Sequence, residues 1–391
     1  MRIALVDGTL KHTYYPFGLL RLSSMLKDEG HEVKLFYKDL PAEGEWDQVW
    51  ISAIFTFEIP YVRELIRRYA RKSKVFVGGV SPTIMPQAFE NEPCTVNIGK
   101  NEKAETYPLD YSALGFPPEY SMSKITDGCI RKCGFCAVHK LEPAYVERPN
   151  WKRDILPTTK YVVFSDNNYT VRKIEKMRED AEYFNDLIRT TRNRSIDFNQ
   201  ALDARLMTGE LAEILGGMPI SPMRFSYDGP QEKGYVENAI RLMSGYGKKN
   251  FTIYMLYNYM DKPEDAWIRA HEMVSVAEET GTTVCVFPMR YQPIDQIDDK
   301  REYTGRHWTP QEKKAFMTML NHHSLYGQIS FSSVAAFEDW FMDSPEKFVK
   351  MLNYPKIAQY YSRKKGHNRA ERYQERSDAS GEKEDRLRQK A

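Results

Sequence analysis

The chain is poor in cysteine, in net charge and in long apolar runs. It carries five cysteines in 391 residues. Its first residues, MRIALVDG, enter a strand pattern at once, without the basic-then-apolar layout of a secretory signal. No run approaches the roughly 18 apolar residues of a membrane-spanning helix, so no membrane partner is expected. The formal net charge is +2, too small for a global field that would draw the chain to nucleic acid or an anionic bilayer. These absences point to the cytoplasm, where disulfides are rare and clustered cysteines serve metals or catalysis.

What is present is a globular composition, 41% hydrophobic and 28% charged, over a length too great for one ordinary core. Across 1–118, short apolar runs alternate with helical spacing. They are RIALVD (2–7), the stripe Leu19, Leu22, Met25 and Leu26 within 17–30, HEVKLFY (31–37), QVWISAIF (48–55), the amphipathic 61–73 and KVFVGG (74–79). That rhythm predicts an α/β protein opening with a doubly wound, Rossmann-like parallel sheet, ended by the linker GFPPEY (115–120). A second β-α series over 119–295 predicts strands at 122–127, 160–165, 196–202, 222–228, 251–257 and 282–288, and helices at 173–191, 208–216, 234–245 and 263–280. Six such strands suit a partial (β/α)6 barrel, with chemistry at the C-terminal strand ends. Residues 296–361 read as a helical region. Residues 362–391 hold ten Lys and Arg against six acidic residues and almost nothing apolar, which predicts a disordered basic tail.

Three of the five cysteines, Cys129, Cys133 and Cys136, crowd into GCIRKCGFCAVHK (128–140) with the spacing C-x3-C-x2-C. Thiolates favour zinc, copper(I) or iron–sulfur clusters. A structural zinc site takes four ligands, and an ordinary [4Fe–4S] cluster takes four cysteines. Three cysteines therefore leave one metal position open, unless His139 closes a zinc site. Gly128 and Gly134 let the loop turn tightly. Arg131 and Lys132 add positive charge beside an anionic centre.

The stretch ITDGCIRKCGFCAVHK resembles the cluster loop of radical S-adenosylmethionine (radical SAM) enzymes, with Phe135 in the aromatic slot before the last cysteine and the loop just after the first strand of the second series. The resemblance implies a [4Fe–4S] cluster on Cys129, Cys133 and Cys136. Its open iron would chelate S-adenosylmethionine, and one electron from a donor such as flavodoxin or ferredoxin would yield a 5′-deoxyadenosyl radical that takes a hydrogen atom from substrate. Methyl transfer and rearrangement both stay open, and the substrate is unknown.

Polar residues at the other strand ends are the candidates for holding the cofactor. They are Asp166, Asn167 and Asn168 in SDNN, where the family carries a Gly-Gly-Glu-like motif, then Gln200, Asp203 and Arg205, then Asp228 and Asn258. Arg205 suits a carboxylate as a bidentate fork, or else an internal ion pair with Asp203. SDNN also suits a turn or helix cap. Cys94 and Cys285 read as small buried hydrophobes; they are too few for a second conventional cluster.

The first 118 residues resemble the N-terminal domain of the cobalamin-binding-type radical SAM class, on Pro16, Gly18, Leu19, Gly78, Gly79, Pro82, Thr83 and Pro86. The Asp-x-His-x-x-Gly motif that would ligate cobalt is missing, and His12 stands alone, so cobalamin is left open. Of a different class is a zinc-stabilised binding protein that touches nucleic acid through SRKKGHNRAERYQER; the near-balance of charge in the tail argues against it.

Overall fold

A computed structural model describes residues 1–10, 14–37 and 43–364. His12 and, from residue 365, the basic tail lie outside the described residues; 362–364 still continue a helix. The chain divides into two compact units. The first is Met1–Ser226 with Leu242–Lys248 and Gln292–Tyr303, and the second is the remainder.

The first unit opens with β1 (Arg2–Asp7), α1 (Phe17–Asp28), β2 (Glu32–Phe36), β3 (Gln48–Ser52), α2 (Ile59–Tyr69), β4 (Lys74–Gly78), α3 (Val80–Ile84), β5 (Thr95–Val96) and α4 (Glu102–Glu105). The strands form one five-stranded sheet in the order β2-β1-β3-β4-β5, parallel throughout. One face, with Ala4, Val6, Val49, Ile51, Val75 and Val77, packs on Val62, Leu65 and Ile66 of α2. The opposite face, with Ile3 and Leu5, packs on Leu19, Met25 and Leu26 of α1. A sheet buried on both faces explains why β1 reads as a continuous apolar run rather than an alternating one. Each expected element of this segment is present, with ends shifted by up to four residues.

The unit continues through β6 (Tyr120–Ser123), β7 (Thr126–Asp127), α5 (Val138–Leu141), β8 (Val146–Glu147), β9 (Tyr161–Phe164), α6 (Ile174–Thr190), β10 (Ser195–Phe198), α7 (Gly209–Gly217) and β11 (Met223–Ser226). β6, β9 and β10 pair in parallel, in the order β10-β9-β6. The strand expected over 122–127 is broken: β6 stops at Ser123, and β7 turns to pair antiparallel with β8. The strand expected over 196–202 ends at Phe198; the chain turns, with Ala201 at a positive φ of 71°, before Leu202 bridges Phe225. The chain between β6 and β8 holds the cysteines.

The second unit takes in most of α8 (Tyr235–Gly245), then β12 (Asn250–Tyr257), α9 (Pro263–Thr280), β13 (Thr283–Arg290), α10 (Pro310–His323), α11 (Val334–Phe341) and α12 (Pro345–Leu352). β12 and β13 pair in parallel over eight residues. The Thr309 cap and Pro310 start α10 as expected, with a reciprocal Thr309–Glu312 capping box. No helix among the described residues is long and apolar enough to cross a membrane.

Candidate functional site

The cysteine loop hangs from a buried polar frame. Gly128 has φ +77°, and a Cβ there would lie 2.2 Å from the Ala144 carbonyl oxygen. Only glycine lets the chain enter the loop at this point. The Gly128 N–H donates to Glu142 Oε2 at 2.6 Å, and Asn167 Nδ2 donates to the same oxygen at 2.7 Å. The Cys136 N–H closes a turn on the Cys133 carbonyl at 3.0 Å. All three cysteines are half-buried, and none of the five in the chain forms a disulfide.

Glu142 and Asp127 sit among three cations. Lys100 reaches Asp127 at 2.8 Å and Glu142 at 2.9 Å; Lys124 reaches Asp127 at 3.0 Å and also bonds Glu142; Arg148 meets Asp127 at 2.9 Å. Burial pushes both carboxyls up, but the Lys124 charge and the hydrogen bonds outweigh it, so both are held below the ordinary carboxylate range. Charge alternation along the sequence does not reveal this network, since Lys100 comes from the segment after β5 and Glu142 from the end of α5. It is a part of the site that sequence reasoning missed.

Asp166 lies under the loop. It is buried, and its carboxylate accepts from the N–H groups of Ile125 and Thr126 and from the Thr126 hydroxyl. Burial pushes this carboxyl up to about 6. Its oxygens face the backbone that leads into the cysteine loop and hold it in place. Asn167 is half-buried and turned to Glu142. Asn168 is buried, and its Nδ2 lies 3.3 Å from Cys129 Sγ.

Asp203 gathers two guanidiniums, with Arg131 Nε at 2.5 Å and Arg205 Nε at 2.7 Å. Burial raises the Asp203 carboxyl, but the hydrogen bonds from Arg205 and Arg131 win, so it stays below its usual range. Of the two readings for Arg205, the structure displays the internal ion pair. Gln200 is exposed on the turn after β10, and Phe135 is half-buried in the loop. Thus Cys129, Cys133, Cys136, Phe135, Asp166, Asn167, Asn168, Asp203 and Arg205 belong to one region of the first unit. Asp228 and Asn258 belong to the second. Asp228 is half-buried and its N–H donates to Glu232. Asn258 is fully buried with φ +65°, its amide oxygen accepting from the Gly305 N–H at 2.8 Å. That bond gives Asn258 a structural task within its own unit.

Among the described residues, no three His, Cys, Asp or Glu side chains converge on one point to hold a single metal ion, and His139 adds no such group. A cubane cluster does not need that convergence, because each cysteine binds a different iron. The donor set of three thiols with an open position therefore fits a cluster better than a closed zinc site. Cys94 is half-buried and packs against the core of the N-terminal sheet; burial pushes its thiol up to about 11.

A cavity of about 540 Å³ lies at the C-terminal edge of the N-terminal sheet, lined by Gly18, Ser52, Gly78, Thr83 and Gly99 among others. Its walls come from the ends of β3, β4 and β5 and the first turns of α1, and the C-terminal strand edge is where doubly wound sheets bind ligands. A Cβ on Gly18 or Gly99 would meet nothing within 4 Å. Thr83 Oγ1 donates to the Gly79 carbonyl at 2.7 Å and accepts from the Gly99 N–H at 3.0 Å, which ties two of the lining turns together.

No family model matches the chain. Among solved structures it is similar to the radical S-adenosylmethionine methyltransferase TsrM from Kitasatospora setae. With cobalamin and a [4Fe-4S] cluster bound, that structure aligns at a TM-score of 0.54 and 16% identity over 74% of each chain. With tryptophan substrate and an S-adenosylmethionine analogue bound, it aligns at 0.53 and 15% over 74% of this chain and 72% of that one. At such identity the likeness is one of fold. Short stretches also match ribosomal protein uS12 methylthiotransferases RimO, 44% identical over 41 residues in Chlorobium limicola and 40% over 52 in Chlorobaculum parvum. These stretches span only about a tenth of the RimO chains, 10% and 11%. The chain thus resembles radical SAM enzymes in its cysteine motif, its fold and short stretches of sequence.

Proposed function

We propose that the protein is a radical SAM enzyme acting on an unassigned substrate by methyl transfer or rearrangement. The observation that carries this reading is the set of three thiols on one loop, anchored by Gly128, Glu142 and Asp166 beside a parallel series of strands. Cys129, Cys133 and Cys136 would hold three irons of a [4Fe–4S] cluster. Bound there with S-adenosylmethionine, the cluster supplies one-electron cleavage of the sulfonium and hydrogen-atom abstraction. The chain's share is to position and shield. Phe135, Asn167, Gln200, Asp203 and Arg205 are the side chains assigned here to the cofactor's polar groups and adenine. In this reading 119–295 is a partial barrel, 296–361 a helical region, and the protein is cytoplasmic with flavodoxin or ferredoxin as electron donor.

The N-terminal cavity supports a second assignment, that 1–118 is a cobalamin-binding-type domain. The open space at Gly18 and Gly99 suits part of a cobalamin, held without a histidine on cobalt.

Anaerobic purification tests both. The expected result is about four irons and four sulfides per chain, cobalamin retained on gel filtration with its visible spectrum, and 5′-deoxyadenosine formation that Cys133→Ala abolishes. About one zinc per chain with no cleavage overturns the enzyme reading. A cluster without retained cobalamin overturns only the second assignment.

A further inference from the structure

Asn168 stands out because every polar atom of its buried amide is committed. Its Oδ1 accepts from Thr170 Oγ1 at 2.6 Å. Thr170 Oγ1 in turn accepts from the Asp203 N–H at 3.2 Å. The amide is assigned with its oxygen toward this hydroxyl, because the reverse orientation would set Oδ1 against the Asp203 carboxylate. The NH2 end is left facing Cys129 Sγ at 3.3 Å and Asp203 Oδ2 at 3.5 Å. The Arg131 N–H reaches the same sulfur at 3.4 Å. Asp203 is held in turn by the Arg131 and Arg205 guanidiniums.

We infer that Asn168 sets the reduction potential of the cluster through an N–H···S hydrogen bond to Cys129, with Thr170 and Asp203 as the residues that orient it. This rests on the cluster reading above. The physical reason is charge. A ligating thiolate carries more negative charge when the cluster is reduced, so a fixed N–H aimed at it stabilises the reduced form more than the oxidised one. Hydrogen bonds to sulfur and exclusion of solvent are the main levers a protein has on such a potential. Asn168 is 3% exposed, so water does not replace its donor. Asn168 is thereby a positioning and tuning residue, not a ligand of S-adenosylmethionine.

The test is a potentiometric titration of the anaerobically reconstituted protein, followed by the electron paramagnetic resonance signal of the reduced cluster. Asn168→Leu keeps the volume near and removes the donor. Thr170→Val leaves the donor but frees the amide to turn. With iron and sulfide content equal to wild type, Asn168→Leu is expected to make reduction about fivefold to tenfold less favourable, roughly 40–60 mV more negative for one electron. Thr170→Val is expected to shift in the same direction by less. Should Asn168→Leu not assemble a cluster, Thr170→Val decides. An unchanged potential in a variant with a full cluster overturns the inference and leaves the enzyme reading intact. A wild-type protein that assembles no cluster overturns the enzyme reading itself.

Discussion

The Asp166 carboxylate is buried at 1% exposure and accepts from three donors on two consecutive residues, Ile125 and Thr126. Its folded-state carboxyl titrates near 6, against 3.8 ordinarily, because burial penalises the charge. A folded chain that binds this proton more tightly than the unfolded chain gains from it at low pH. Its contribution to stability therefore falls as pH rises from about 4 to about 6 and is level above that. A rise of this size corresponds to about 3 kcal/mol. Asp166→Asn is expected to remove this slope, seen as a difference from wild type in urea midpoints across pH 4 to 7. It is also expected to cost about 1–3 kcal/mol at pH 7, since one amide end cannot accept the N–H groups.

At the scale of elements, the broken strand between β6 and β7 is what makes the site. A straight run over 122–127 would carry the cysteines along the sheet. Instead the chain leaves at Ser123, is caught by Asp166, pairs with β8 and passes the Gly128 turn. Gly128→Ala places a methyl against the Ala144 carbonyl, in a backbone region alanine avoids. The variant is expected to keep its circular dichroism and lose most of its iron. A normal iron content would show that the loop does not depend on this turn.

For the whole molecule, the division into two compact units predicts unfolding that is not a single step. In the second unit Arg269 is 1% exposed, donating to the Tyr227 and Leu256 carbonyls at 2.8 Å and to Asp261 at 3.0 Å. Arg269→Met leaves the Asp261 carboxylate buried without this partner, a loss of about 3–5 kcal/mol. Hydrogen exchange read by mass spectrometry is expected to show lost protection in β12 and α9, with β1, β3 and β4 still protected and iron content unchanged. Equal loss across both units would mean that they unfold together.

The sequence by itself determined the local order of elements. The apolar runs of β1 and β3, the stripe of α1 and the Thr309–Pro310 start of α10 are legible because side-chain period and capping act within a few residues. It also determined the cysteine loop, since the chemistry of C-x3-C-x2-C is a matter of spacing. Only the tertiary structure decided which strand-end residues hydrogen-bond to the loop. Asp166 accepts from the backbone N–H of Ile125, and the Asn168 amide faces the Cys129 sulfur. Glu142, Lys124 and Lys100 gave no sequence signal at all. Hydrogen bonds and ion pairs between distant segments follow from how strands and loops are brought together, and no period or motif along one chain encodes that meeting.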